Sequence, residues 1–145
     1  MSTPTPSRLT AELRATFKEL ADVLVPAHGK MPAASAVGAH EALLDDVLKH
    51  RPDIRDDLLR ALTAAQGREP RAAANDLLRK DAAAFNALGL AVSGAYYMSP
   101  RVRELLGYPG QESVAYDPYA TPNYLTDGLL ERVVARGPIY RATPR

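Results

Sequence analysis

Apolar residues recur along this chain with the spacing of helices and nowhere with the alternation of strands. Leu13, Phe17, Leu20 and Leu24 fall at i, i+4, i+7 and i+11, which predicts an amphipathic helix that starts at a Thr10 N-cap and stops at Pro26. Leu9 and Arg14 flank its start, and only Leu9 is apolar, so a hydrophobic staple there is weak. Gly29 and Pro32 break the following loop. Ser35 is the expected cap of a second helix reaching about His50, with Val37, Leu44, Val47 and Leu48 inward. Glu41, Asp45 and Lys49 line its other side, and Asp45–Lys49 reads as a surface ion pair. Pro52 suits the first turn of a third helix, with Asp53 at the positive end of its dipole. Ile54, Leu58, Ala61, Leu62 and Ala65 form its expected buried face, and Gly67 ends it.

Pro70 opens a short fourth helix carrying Leu77 and Leu78. Asp81 caps a fifth, DAAAFNALGLAVSGAYYM, whose alanines and glycines let neighbours approach closely. It is therefore expected to be the central, most buried helix. Ser99-Pro100 reads as a cap followed by proline at the first helical position, and Gly107 ends that short helix. Between Tyr108 and Pro122 the pairs Pro109-Gly110, Asp117-Pro118 and Thr121-Pro122 favour turns and extended chain. Thr126 then caps a last helix to about Arg136, with Leu129, Leu130, Val133 and Val134 apolar, and Gly137-Pro138 stops it. The expected fold class is all-α, a small bundle of about five to six helices over residues 9–107. A Pro/Ser/Thr-rich tail, residues 1–8, is expected to be disordered, and residues 108–145 form a tyrosine- and proline-rich arm.

Composition sharpens this division. Six of the seven tyrosines lie between Ala95 and Tyr124: Tyr96, Tyr97, Tyr108, Tyr116, Tyr119 and Tyr124; Tyr140 is the seventh. Upstream, Phe17 and Phe85 are the only aromatic side chains. Tyrosine gives large contact area with few torsions to freeze, so this stretch has the chemistry of a docking surface. The arm could instead pack over its own bundle, but it holds few aliphatic residues to drive that. A chain of 145 residues can bury one core, and a net charge of +1 with both signs interspersed argues against a nucleic-acid partner. There is no cysteine, hence neither disulfide nor thiolate chemistry. No run is long enough to span a membrane, and the N-terminus has neither an apolar signal core nor a twin-arginine pair, so a cytoplasmic location is expected.

Catalytic motifs are not found. His40 sits at the helical spacing of Val37, Leu44 and Val47, and His40-Glu41 does not continue as HExxH because position 44 is leucine. Asp46 and His50 are four apart on a helix, but no second such pair exists to complete a metal site. His28 precedes a loop glycine with no acid or nucleophile beside it. There is no GxGxxG, no GxxxxGK[ST] and no GxSxG. The expectation is a chain with no catalytic, cofactor or metal site of its own.

Two segments resemble a known family. TFKELADVLVPAHGKMPAASAVG, residues 16–38, is similar to the opening of the gluconate 2-dehydrogenase subunit 3 family, and GAYYMSPRVRELLGYPGQ, residues 94–111, resembles its second hallmark. The resemblance implies a small helical subunit accompanying a large FAD-dependent oxidoreductase of the glucose-methanol-choline type. That partner would carry FAD and oxidise a sugar or other alcohol, while the small subunit stabilises it and in many members supplies a twin-arginine signal. This sequence lacks that signal and has a shorter middle, which favours a cytoplasmic complex. The expected partner interface is Tyr96, Tyr97, Pro100, Tyr108, Pro109, Tyr116, Tyr119, Tyr124 and Tyr140. The alternatives are a free-standing helical adaptor or homodimeric ligand-binding module, and an enzyme built around His40 or His50.

Overall fold

The computed structural model describes residues 9–113 and 127–139; the predicted tail, Tyr116, Tyr119, Tyr124, Thr126 and Tyr140 lie outside these residues. The described residues form seven α-helices and no strand, so the chain is all-α. It divides into two units, residues 1–110 and 111–145.

In the first unit, α1 (Ala11–Leu24) begins where Thr10 accepts a hydrogen bond from the Leu13 N–H at 3.3 Å. It buries Phe17 and Leu20 completely, while Leu13 and Leu24 flank the core. The second helix is shorter than its pattern suggests. Ser35–Val37 is a single 3₁₀ turn, Gly38 takes a left-handed conformation (φ 70°), and α2 runs only from Ala42 to His50. Ser35 does not cap it, because the helix begins seven residues later, after Glu41; the Ser35 hydroxyl donates to Asp22 instead. Asp45 likewise does not serve Lys49. It accepts from Arg14 at 2.6 Å, and Arg14 also donates to the carbonyls of His40 and Glu41, which ties α1 to the start of α2.

A 3₁₀ turn (Pro52–Ile54) leads into α3 (Arg55–Ala65), whose inward face is the expected Leu58, Ala61, Leu62 and Ala65, with Ile54 just before it. The fourth helix, α4 (Pro70–Lys80), is capped by Glu69, whose carboxylate accepts from the Arg71 and Ala72 N–H groups at 2.9 and 2.6 Å. Those two bonds hold the Glu69 carboxyl below its usual range. Of the two leucines expected on α4, Leu77 is buried and Leu78 is exposed. Adjacent helical positions point about 100° apart, so the face set by Ala73, Ala74 and Leu77 excludes Leu78.

The fifth helix, α5 (Ala82–Met98), is the centre of the unit and packs against α1, α2, α3, α4 and α6. Ala84, Ala87, Ala91 and Ala95 are buried, and these side chains set how near the surrounding helices come. A β-carbon added at Gly94 would lie 3.0 Å from Val47 Cγ2, so α2 and α5 touch almost backbone to side chain. Asp81 caps α5 through the Ala84 N–H and also holds Arg60 of α3 at 2.6 Å. A short α6 (Pro100–Leu106) completes the unit.

In the second unit, α7 (Glu131–Arg136) starts after a turn at Gly128 (φ 73°), later than a cap at residue 126 would place it. Leu129, Leu130, Val133, Val134 and Ile139 are all exposed, and none of the described residues 127–139 is buried. No helix among the described residues is long and apolar enough to cross a membrane.

Substitutions in α5 and at its cap test this packing. Gly89→Ala meets nothing within 4 Å, so it should raise stability by about 0.5–1 kcal/mol through helix propensity. Gly94→Ala must displace Val47 and should be the less stable of the two variants in thermal unfolding. The Asp81 carboxyl is held below its usual range, first by Arg60 and then by the Ala84 N–H. A depressed folded pKa contributes stability that is present above the unfolded value of about 3.9 and lost as pH falls below it. Asp81→Ala should therefore lower the Tm at pH 7, and its gap from the parent chain should narrow below about pH 4.

Candidate functional site

The two family-like segments converge in the first unit. At the end of α1 the Asp22 carboxylate accepts both the Ser35 N–H at 2.8 Å and the Ser35 hydroxyl at 2.6 Å. The Ala34 N–H donates to the Val25 carbonyl at 3.1 Å, and His28 and Met31 exchange backbone hydrogen bonds across Gly29 (φ 57°). Residues 25–35 thus form a loop pinned at its mouth by a carboxylate. The second segment reaches it through Tyr96, whose hydroxyl donates to the Pro32 carbonyl at 2.8 Å, across 64 residues of sequence.

Tyr96 therefore differs from the docking role expected of it. Its ring is only 3% exposed, and burial pushes its phenol pKa up, which keeps the hydroxyl protonated as a donor. Tyr97 is 59% exposed and meets the Tyr96 ring edge to face, with centroids 5.5 Å apart and planes at 81°. Ser99 is buried and Pro100 exposed at the first turn of α6. The Ser99 side chain makes no capping bond; its carbonyl instead accepts the Arg103 N–H at 3.1 Å.

Gly107 ends α6 in the left-handed region (φ 65°), and the Tyr108 N–H returns to the Arg103 carbonyl at 2.9 Å. That closure leaves Tyr108 53% exposed, with Pro109 also exposed. So the structure places Tyr97, Pro100, Tyr108 and Pro109 on the surface around α6. Tyr116, Tyr119, Tyr124 and Tyr140 lie outside the described residues.

Leu106 and Arg103 join this surface without having been singled out from the sequence. Leu106 is 52% exposed, although its spacing from the buried Val102 matches a core stripe; the glycine turn after it carries the chain away. Arg103 is half-buried, and its Nε has no hydrogen-bond partner. Arg101 and Glu104 pair at 2.7 Å on the exposed side. The exposed side chains on and flanking α6 are thus apolar and aromatic, with one neutralised ion pair among them.

The histidines do not converge. His40 borders the core, with Nε2 3.6 Å from Glu41 Oε1 and a buried, unpartnered Nδ1. His50 and Asp46 are exposed on α2, and His28 is exposed in the pinned loop. No group of three His, Cys, Asp or Glu side chains able to hold a metal occurs among the described residues. A shallow groove of about 270 Å³ lies between α2 and α5, lined by Val47, His50, Ile54, Leu90, Gly94 and Met98, among others. It is mostly apolar; Ser93 and His50 both line it, with no hydrogen bond between them and no acid among the described residues oriented on the imidazole.

Comparison with known proteins adds no relative: no family model, curated protein or solved structure matches the chain.

The loop clasp generates its own prediction. Asp22→Ala removes both bonds to Ser35 and should cost about 2 kcal/mol, since hydrogen bonds to a charged acceptor are the stronger class. Hydrogen exchange at the Ser35 amide should accelerate in that variant while exchange in α3 amides stays slow.

Proposed function

We propose that this chain is a non-catalytic small subunit that binds and stabilises a large FAD-dependent oxidoreductase of the glucose-methanol-choline type, acting on a sugar or other alcohol. The resemblance of residues 16–38 and 94–111 to the gluconate 2-dehydrogenase subunit 3 family names the partner class. The observation that carries a docking role is the surface around α6. Tyr97, Leu106 and Tyr108 are each more than half exposed there, on backbone fixed by Pro100 and the Gly107 turn. Exposed tyrosines on rigid backbone lose little conformational entropy on binding and are the usual anchors of protein interfaces.

In this reading the small subunit works by mass action, binding only the folded flavoprotein and so raising its stability. FAD belongs to the partner. The complex assembles in the cytoplasm. The exposed apolar run on and beside α7, Leu129, Leu130, Val133, Val134 and Ile139, supplies a second contact region. A homodimeric ligand-binding module is the competing reading, and the groove beside Leu90 is the feature that favours it.

Co-expression of the tagged full chain with a neighbouring large oxidoreductase gene, followed by pull-down and a visible spectrum, separates the two. A stoichiometric yellow complex is the expected result. A lone colourless homodimer would sink the proposal. Within the complex, Tyr108→Ala should weaken assembly at least tenfold, the effect of losing one interface anchor, with the helical circular dichroism unchanged. Truncation after Gln111 should weaken it further.

A further inference from the structure

Tyr96 and Ser99 are the buried residues of the YYMSP segment, and Tyr96 is the one whose side chain is hydrogen-bonded to a distant part of the chain. Its hydroxyl is bonded to the Pro32 carbonyl at 2.8 Å, and its ring is the surface against which Tyr97 stands. The Pro32 carbonyl is not a loose acceptor. It sits in the loop whose mouth is closed by the two Ser35 bonds to Asp22 and by the Ala34 N–H on Val25. A continuous set of contacts therefore links the end of α1, through Ser35 and Pro32, to the Tyr96 ring and to Tyr97.

An exposed tyrosine on a free helix end samples several staggered rotamers and must give them up when it binds. Edge-to-face contact with a bolted neighbour removes part of that freedom beforehand. On this geometry, and resting on the docking role argued above, we infer that Tyr96 is a positioning residue: it presets Tyr97 and the 26–32 loop as one preorganised contact for the flavoprotein. Tyr96 contributes to affinity without touching the partner, because part of the ordering of Tyr97 precedes the encounter.

The test is a double-mutant cycle on the full chain, reading affinity for the co-expressed flavoprotein at a temperature where all four variants are folded. Tyr96→Phe keeps the buried ring and removes only the hydroxyl. Loss of one such bond should weaken binding about fivefold in the parent background. In the Tyr97→Ala background the same change should have no effect, since the residue through which it acts is gone.

Equal weakening in both backgrounds would mean that Tyr96 only stabilises the fold, which overturns the inference and leaves the docking role standing. Full affinity after Tyr97→Ala would remove Tyr97 from the interface and overturn the inference as well, while the docking role is decided by Tyr108→Ala and the pull-down. In the free chain, the Hα–Hβ couplings of Tyr97 should report one dominant χ1 rotamer and become averaged on Tyr96→Phe; unchanged couplings would overturn the inference before any partner is added.

Discussion

The first unit depends on one constraint: a central helix lined with side chains small enough for five others to close on it. Ala84, Ala87, Ala91 and Ala95 narrow α5 where its neighbours close on it, Gly94 brings Val47 to the limit of contact, and Leu88, Val92 and Tyr96 fill the wider gaps. Phe17, Leu20, Leu44, Leu58 and Leu62 on the surrounding helices supply the bulk that α5 withholds. Large side chains on the outer helices against mostly small ones on α5 is one way a core of this size approaches close packing. Because α5 is held on several sides, its C-terminal end is fixed, and with it the start of α6.

That fixed end explains why the corner around α6 is shaped for contact and α7 is not shaped in the same way. Proline at its first turn, the left-handed Gly107 and the Tyr108 N–H returning to Arg103 leave Tyr108 little choice of direction. A six-residue helix such as α7 has no comparable support, since nothing described in residues 127–139 is buried. Helices this short gain too few hydrogen bonds to offset nucleation. One surface is therefore ready-made, while the other has an apolar face that its own described neighbours leave uncovered.

Much of this was legible from spacing, and the exceptions share a physical cause. Helix positions, the Thr10 and Asp81 caps, the α3 face and the central place of α5 follow from local chemistry, and the structure agrees. Ser35 looked like a cap because serine before an apolar run commonly is one. A carboxylate thirteen residues earlier claims its hydroxyl instead, and nothing near Ser35 reveals that. Asp45 had a helical neighbour at the right spacing in Lys49, yet Arg14 from another helix took it. Tyr96 and Tyr97 read as one aromatic pair, but consecutive helical positions diverge, so one went into the core and the other out. The part of the candidate surface beyond Ser113 rests on the sequence alone, apart from residues 127–139.

Alanine has one further consequence for this chain. Eleven of the twenty-five buried hydrophobic residues among those described are alanines, which have no rotamers to lose on folding and none to exchange afterwards. Such a core forfeits some transfer free energy per residue, yet it leaves few soft torsions along its axis, where Leu88, Val92 and Tyr96 are the large buried side chains of α5. A distortion entering at the tyrosine end of α5 therefore meets few side chains that can reshuffle to absorb it. It is passed on mainly as whole-helix displacement, so the bundle behaves as a stiff mount, and the compliance of the first unit is concentrated in its loops.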